Sequence, residues 1–169
     1  QGAKHLLKIE GQTMRMVSRE NTSGSLSEVI FKPVQRAIGK AIQENLHYMG
    51  ADRHDSLYEF GLYDMRHYTE YPFAYVAFSS LDRKYILDSL PFHSDPKNLY
   101  FLARAYSVNR APVNSMSVLI SQSIKRMQEY SPETDAIVTS VNPNILFLGS
   151  AFTASGFIDC AELPFVPKY

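Results

Sequence analysis

The chain has 169 residues, 45% hydrophobic and 12% aromatic, which suits one buried core and excludes a disordered chain. Its 17 basic residues balance 17 acidic ones, so no overall field draws it to nucleic acid, and no apolar run approaches the roughly 20 residues that cross a bilayer. Cys160 stands alone, which excludes an intrachain disulfide and a cysteine-based zinc site and points to a reducing, cytoplasmic setting.

The opening Gln1-Gly2-Ala3-Lys4 lacks the basic, apolar and small-residue sections of a secretory signal and reads as a trimmed end. Leu6 to Val17 alternates loosely and predicts a strand interrupted by Gly11, followed by a loop from Asn21 to Ser27. Lys4, Lys8, Arg15 and Arg19 make this opening loosely basic, a pattern of solvated surface at zero net charge. After Val29-Ile30-Phe31, Pro33 is placed in the first turn of a helix, where its missing N–H costs nothing. The helix carries Val34, Ala37, Ile38, Ala41, Ile42 and Leu46 inward, faces Gln35, Arg36, Lys40, Gln43 and Glu44 outward, and stops at Gly50.

Met49 to Ser56 predicts a polar turn or short helix. Four aromatic, β-favouring runs then predict an antiparallel meander: 57–60, 73–78, 85–87 and 99–102, with Asp82-Arg83-Lys84 as a hairpin tip. A second helix follows, capped by Asn114 or Ser115, with Met116, Leu119, Ile120, Ile124 and Met127 on one face and its end at Ser131-Pro132. Ala136 to Val141 predicts a strand, Asn142-Pro143-Asn144 a turn, Gly149 to Ser155 a short helix, and Phe157 onward a last strand. The order predicts one α+β or mixed α/β domain over residues 1–169, with parallel pairing only around the central crossover.

No two of the eight glycines lie at GxG spacing, which excludes a dinucleotide fingerprint and a Walker loop. The chain has no HExxH, CxxC or GxSxG, and its five histidines are dispersed, so no metal site is predicted. What remains is a strand, 98–108, running into the second helix. A helix N-terminus gathers free N–H groups and the positive end of the dipole, a cradle for an anion such as a pyrophosphate. Asn114 and Ser115 would line that cradle or simply cap the helix, and Arg104 and Arg110 flank it.

The second crossing reads Val138-Thr139-Ser140-Val141-Asn142, then Phe152-Thr153-Ala154-Ser155-Gly156-Phe157. Together with the element order over residues 70–160, it resembles the last half of the GNAT N-acetyltransferase superfamily. The superfamily's glycine-bearing acyl-CoA loop is absent, with Pro112, Asn114 and Met116 at the glycine places, and Phe152 stands where a tyrosine commonly acts as general acid. An atypical glycine-poor branch, the phage Mom-type DNA-modification proteins, is similar in those places. Its motifs are matched by His47-Tyr48-Met49-Gly50, Asn114-Ser115-Met116-Ser117, Asn142-Pro143 and Gly149 to Ala154.

The resemblance implies a mostly antiparallel central sheet, splayed at two strands and flanked by helices, with the acyl donor in the gap. It implies an acyltransferase moving an acyl or aminoacyl group to an acceptor amine by direct attack. The donor is acetyl-CoA or another acyl-CoA thioester, or an aminoacyl-tRNA ester. The partners are an amine-bearing small molecule or nucleic acid, with no membrane. The alternatives are Mom-like nucleobase modification and a non-catalytic binding or regulatory module. His47 and Tyr48 are candidates to orient or deprotonate the amine or to help ligate a metal, or His47 is a helix-end residue favoured by the dipole. Tyr106 is a candidate proton donor or a packing tyrosine. Arg110, Asn114, Ser115, Ser117, Asn142 and Ser150 are the candidate donor-binding residues, Asn142 and Ser150 being alternatively a turn and a cap.

Overall fold

A computed structural model describes residues 29–64, 70–108, 111–141 and 149–163. Its five strands are β1 (Val29–Pro33), β2 (Ser56–Asp64), β3 (Ala74–Ser80), β4 (Leu99–Ser107) and β5 (Ala136–Val138). Its α-helices are α1 (Arg36–Asn45), α2 (Lys84–Leu87), α3 (Ser115–Tyr130) and α4 (Ser150–Ala154). The strands form one sheet in sequence order, antiparallel through β4 and parallel only between β4 and β5, across the α3 crossover.

Both faces of the sheet are covered, which is why β3 is buried over nearly its whole length. Side-chain alternation sends Ala74, Val76 and Phe78 toward Leu119, Ile120 and Met127 of α3. Tyr75 and Ala77 point the other way, into a cluster with Val34 and Ile42 of the α1 layer. The α3 stripe is the predicted one, and α3 ends at Ser131 as expected. The mixed α/β class, the antiparallel meander and the single parallel pairing also match the sequence expectation.

Several elements differ. Pro33 closes β1 opposite Phe60 rather than opening α1, because the ladder continues one residue further through the Val34 N–H to the Glu59 carbonyl at 2.9 Å. Ala37, expected inward, is exposed, and Gln43, expected outward, is fully buried. The inner stripe of α1 is Gly39, Ile42 and Gln43, one helical turn apart and adjacent. The helix stops at Asn45, and Gly50, at φ +56°, closes the turn that follows. Tyr85, Ile86 and Leu87 form helix α2 rather than a strand, which lets Ile86 drop fully onto Leu81, Leu99 and Phe101 with Leu87 half-buried beside it and Tyr85 exposed. The expected hairpin tip, 82–84, lies exposed in the β3–β4 connection. β5 is only three residues long, and 157–163 forms no strand, its residues from Ile158 on being exposed. The expected opening strand and loop, the basic opening segment and the 142–144 turn lie outside the described residues. Among the described residues no helix is long and apolar enough to cross a membrane.

Candidate active site

The sheet opens where β5 leaves β4. β5 pairs only with Leu99, Tyr100 and Phe101, although β4 runs on to Ser107. One residue beyond, the Thr139 hydroxyl donates to the Leu102 carbonyl at 3.1 Å. At the same place the β3–β4 ladder passes from Phe78–Leu102 to Ala77–Arg104, leaving Ala103 as an extra residue on β4. A bulge bends its strand and increases its twist, which turns β4 away from β5. From Arg104 to Ser107 the strand is paired on one edge to β3, while its other edge faces the gap.

The gap leads to the head of α3. There a cleft of about 410 Å3 is lined by Ser107, Ala111, Ser115, Ser117, Ser150 and Ala154, among others. Asn114 also borders it, so Asn114, Ser115, Ser117 and Ser150 are brought together as expected. Neither Asn114 nor Ser115 caps the helix: the Ser115 hydroxyl donates backward to the Pro112 carbonyl at 2.6 Å, and Ser117 donates to the Asn114 carbonyl at 3.0 Å. The Ser115 N–H bonds the Pro112 carbonyl at 3.1 Å, so the first-turn N–H groups of Met116 and Ser117 are the ones left to meet an outside anion. Asn114 has φ +67°, the left-handed region that asparagine tolerates best after glycine. It makes without glycine a turn for which a glycine is usual. Across the cleft, the Ser155 hydroxyl ties α4 to α3 through the Ser117 carbonyl at 3.3 Å. Gly149, at φ +71°, starts α4 where an added Cβ would meet Val141 at 2.6 Å. Phe152 is buried against Phe157 in the core. Arg110 and Asn142 lie outside the described residues.

The other candidates gather on the opposite, α1-covered face. In register, Glu59, Ala77 and Arg104 form one row across β2, β3 and β4, and Gly61, Tyr75 and Tyr106 form the next. Tyr106 is half-buried beside Tyr75. His47, just past α1, is buried, and its ring lies 4.6 Å from that of Tyr48, which is 71% exposed. Burial, with the Arg104 guanidinium nearby, pushes the His47 pKa down to about 4. Its Nδ1 accepts from the Met49 N–H at 3.2 Å, which leaves the ring proton on Nε2. At neutral pH His47 is thus an uncharged hydrogen-bond donor. Among the described residues no group of three His, Cys, Asp or Glu side chains could hold a metal.

Beneath this face lies a buried polar network absent from the sequence expectations. Glu59 Oε1 accepts from Tyr75 at 2.7 Å, Arg36 at 3.0 Å and Gln43 at 3.3 Å. Gln43 also donates to the Tyr75 hydroxyl at 2.7 Å and accepts from the Arg53 N–H at 2.8 Å. Burial raises the Glu59 pKa despite these donors. Gly39 allows α1 to approach the carboxylate, since a Cβ there would come within 2.6 Å of Oε1. Arg104, expected at the cradle, is instead on this face. A lone charge in the apolar run Leu99 to Tyr106 is the sequence signal that marks it.

No known family profile matches the sequence, and no curated protein matches it. Among solved structures, the chain is similar to an aminoglycoside antibiotic 6'-N-acetyltransferase from Acinetobacter baumannii, with a TM-score of 0.57 at 9% identity. The match covers 83% of this chain and 98% of that one. At that identity the likeness shows a shared fold, the GNAT-like arrangement of a splayed, mostly antiparallel sheet between helices.

Proposed function

We propose that the chain is a GNAT-type N-acyltransferase that moves an acyl group from an acyl-CoA thioester to an amine. The observation that carries this reading is the departure of β5 from β4 at the Ala103 bulge, which opens a strand edge leading to the uncapped head of α3. An acyl-CoA thioester, when bound, supplies a carbonyl already activated for attack. The free N–H groups at the head of α3 suit the phosphate end of the donor, and the small residues around the cleft leave it room. The outward edge of β4 offers backbone N–H groups to a carbonyl oxygen that gains negative charge during transfer. The amine comes from the α1 face, where His47 donates through Nε2 and does not take its proton. The amine attacks as its free base, and its surplus proton passes by way of the Tyr106 or Tyr48 hydroxyl to the departing thiolate, so that amide and free thiol are the products. A nucleobase amine is the alternative acceptor that the Mom-type resemblance implies, and retention on duplex or single-stranded DNA at low salt would favour it. The aminoglycoside of the solved neighbour is a polycation, a class disfavoured beside an arginine-bearing face.

Phe152 favours a second reading. Its buried ring offers no proton where a tyrosine is usual, so a donor-binding module without turnover fits the same cleft. Thermal shift against CoA, acetyl-CoA and a bulk aminoacyl-tRNA fraction tests both. Stabilisation by CoA and acetyl-CoA is expected. Stabilisation by aminoacyl-tRNA alone would move the donor to the ester class, and stabilisation by none would sink the transferase and the module together. Mass spectrometry of mixed amines with acetyl-CoA then separates transfer from binding.

A further inference from the structure

We infer that Arg104 anchors an oxyanion on the acceptor, so that the substrate is a small amine bearing a carboxylate or phosphate at its other end. The inference rests on the acyl-transfer reading for the word acceptor, but the anion site stands on Arg104 alone. Of the described arginines, Arg36 holds Asp52 and Glu59, Arg53 grips Asp55 through two bonds of 2.7 Å, and Arg126 holds Glu129. Arg83 donates to the Tyr85 hydroxyl at 3.2 Å. Among the described residues Arg104 has only the carbonyl of its neighbour Ala103, at 2.9 Å, and its Nε is shielded from solvent with no hydrogen-bond partner there.

A shielded guanidinium donor without an acceptor is costly, so Arg104 calls for an acceptor from outside the chain. Among the described residues no carboxylate pairs with it. His47 beside it is neutral, and the positive charges of Arg53 and Arg83 stand near enough to disfavour its own. Arg53 is already paired with Asp55, and the Glu59 carboxylate in the same row is held by Arg36, Gln43 and Tyr75, so these carboxylates are engaged elsewhere and do not pair with Arg104. The planar fork of arginine matches a carboxylate or a phosphate. Its place fits an acceptor: Arg104 follows the Ala103 bulge, where the strand edge opens, and sits roughly 10 Å along β4 from Ser107 at the cleft. An amine held by its anionic end here reaches the opening from the side away from the cleft.

Four amines that differ only at the far end test this by isothermal titration at low salt without donor: β-alanine, O-phosphoethanolamine, ethanolamine and putrescine. Binding of β-alanine or O-phosphoethanolamine at least about tenfold tighter than ethanolamine, with putrescine weakest, is expected. The two anionic arms tell a carboxylate from a phosphate preference. Arg104→Gln should remove that preference while folding at least as stably, because no carboxylate partner is lost, and Arg104→Lys should keep part of it. Ser117→Asp, at the other site, should leave it intact. Equal binding of all four amines, or a preference that survives Arg104→Gln, would overturn the proposal. Anion preference at Arg104 without acyl transfer would instead overturn the transferase reading and leave this site standing.

Discussion

Replacing Gly39 by alanine sets two opposed terms against each other. In a helix interior alanine is favoured over glycine by about 1 kcal/mol. Position 39 adds a clash: the new Cβ would lie 2.6, 2.8 and 2.9 Å from three atoms of the Glu59 carboxylate. Ordinary contact begins at 3.4 Å, so the carboxylate or the helix must shift by several tenths of an ångström. Arg36, Gln43 and Tyr75 hold the same oxygen, and moving it weakens charge-assisted bonds that contribute about 1.5–3 kcal/mol. Overpacking of this kind costs about 1–3 kcal/mol. The clash therefore exceeds the helix gain, leaving a net loss of about 1–2 kcal/mol, or about 5 °C in Tm for a chain of this size. Urea denaturation of Gly39→Ala, Glu59→Ala and the double variant measures the coupling. In the Glu59→Ala background the clash is gone, and Gly39→Ala should become neutral or stabilising. A single variant as stable as the parent, or an equal penalty in both backgrounds, would refute the reasoning.

Two further outcomes follow from the site. His47 has a folded pKa of about 4 against 6.5 unfolded, so the unfolded chain binds the extra proton between those values. Its contribution is complete above pH 6.5 and is lost as pH falls toward 4, by about 3 kcal/mol over the full window. His47→Asn, which keeps an acceptor for the Met49 N–H, should flatten denaturant-measured stability across that window; an unchanged slope would contradict the buried neutral ring. At Asn114, glycine should be tolerated or mildly stabilising, whereas alanine should cost about 1 kcal/mol at φ +67°. Equal stability of Asn114→Gly and Asn114→Ala in thermal melts would remove the claim that asparagine supplies the turn.

Legibility in the sequence followed the range of the interactions involved. The α3 stripe was readable because helical spacing is local, and so were the β2, β3 and β4 runs and the short α4 behind Gly149. Asn114, Ser115 and Ser117 were readable as neighbours because a strand entering a helix places them by chain connection, whereas Ser150 came from the second crossing and meets them only across the cleft. What escaped depends on pairing between distant segments. Gln43 looks like a surface residue of α1 until Tyr75, 32 positions away, gives its amide a partner. The bulge at Ala103 exists only in the register of β4 against β3, which no single strand encodes. Tyr85-Ile86-Leu87 has β-favouring residues, but four residues in a connection follow what Ile86 can bury against rather than propensity. Arg104 carried a signal, a charge in an apolar strand, and its move from the cradle to the α1 face follows from the same bulge.

Titration of CoA into the wild-type chain and into Ser117→Asp tests the central claim most directly. Aspartate in the first turn of α3 favours the helix dipole, so the variant should fold at least as stably as the parent, while its charge repels an anion from the cleft. Saturable binding by the wild type and a loss of about tenfold or more in the variant are expected. Failure of the wild type to bind, or equal affinity of both chains, would contradict it.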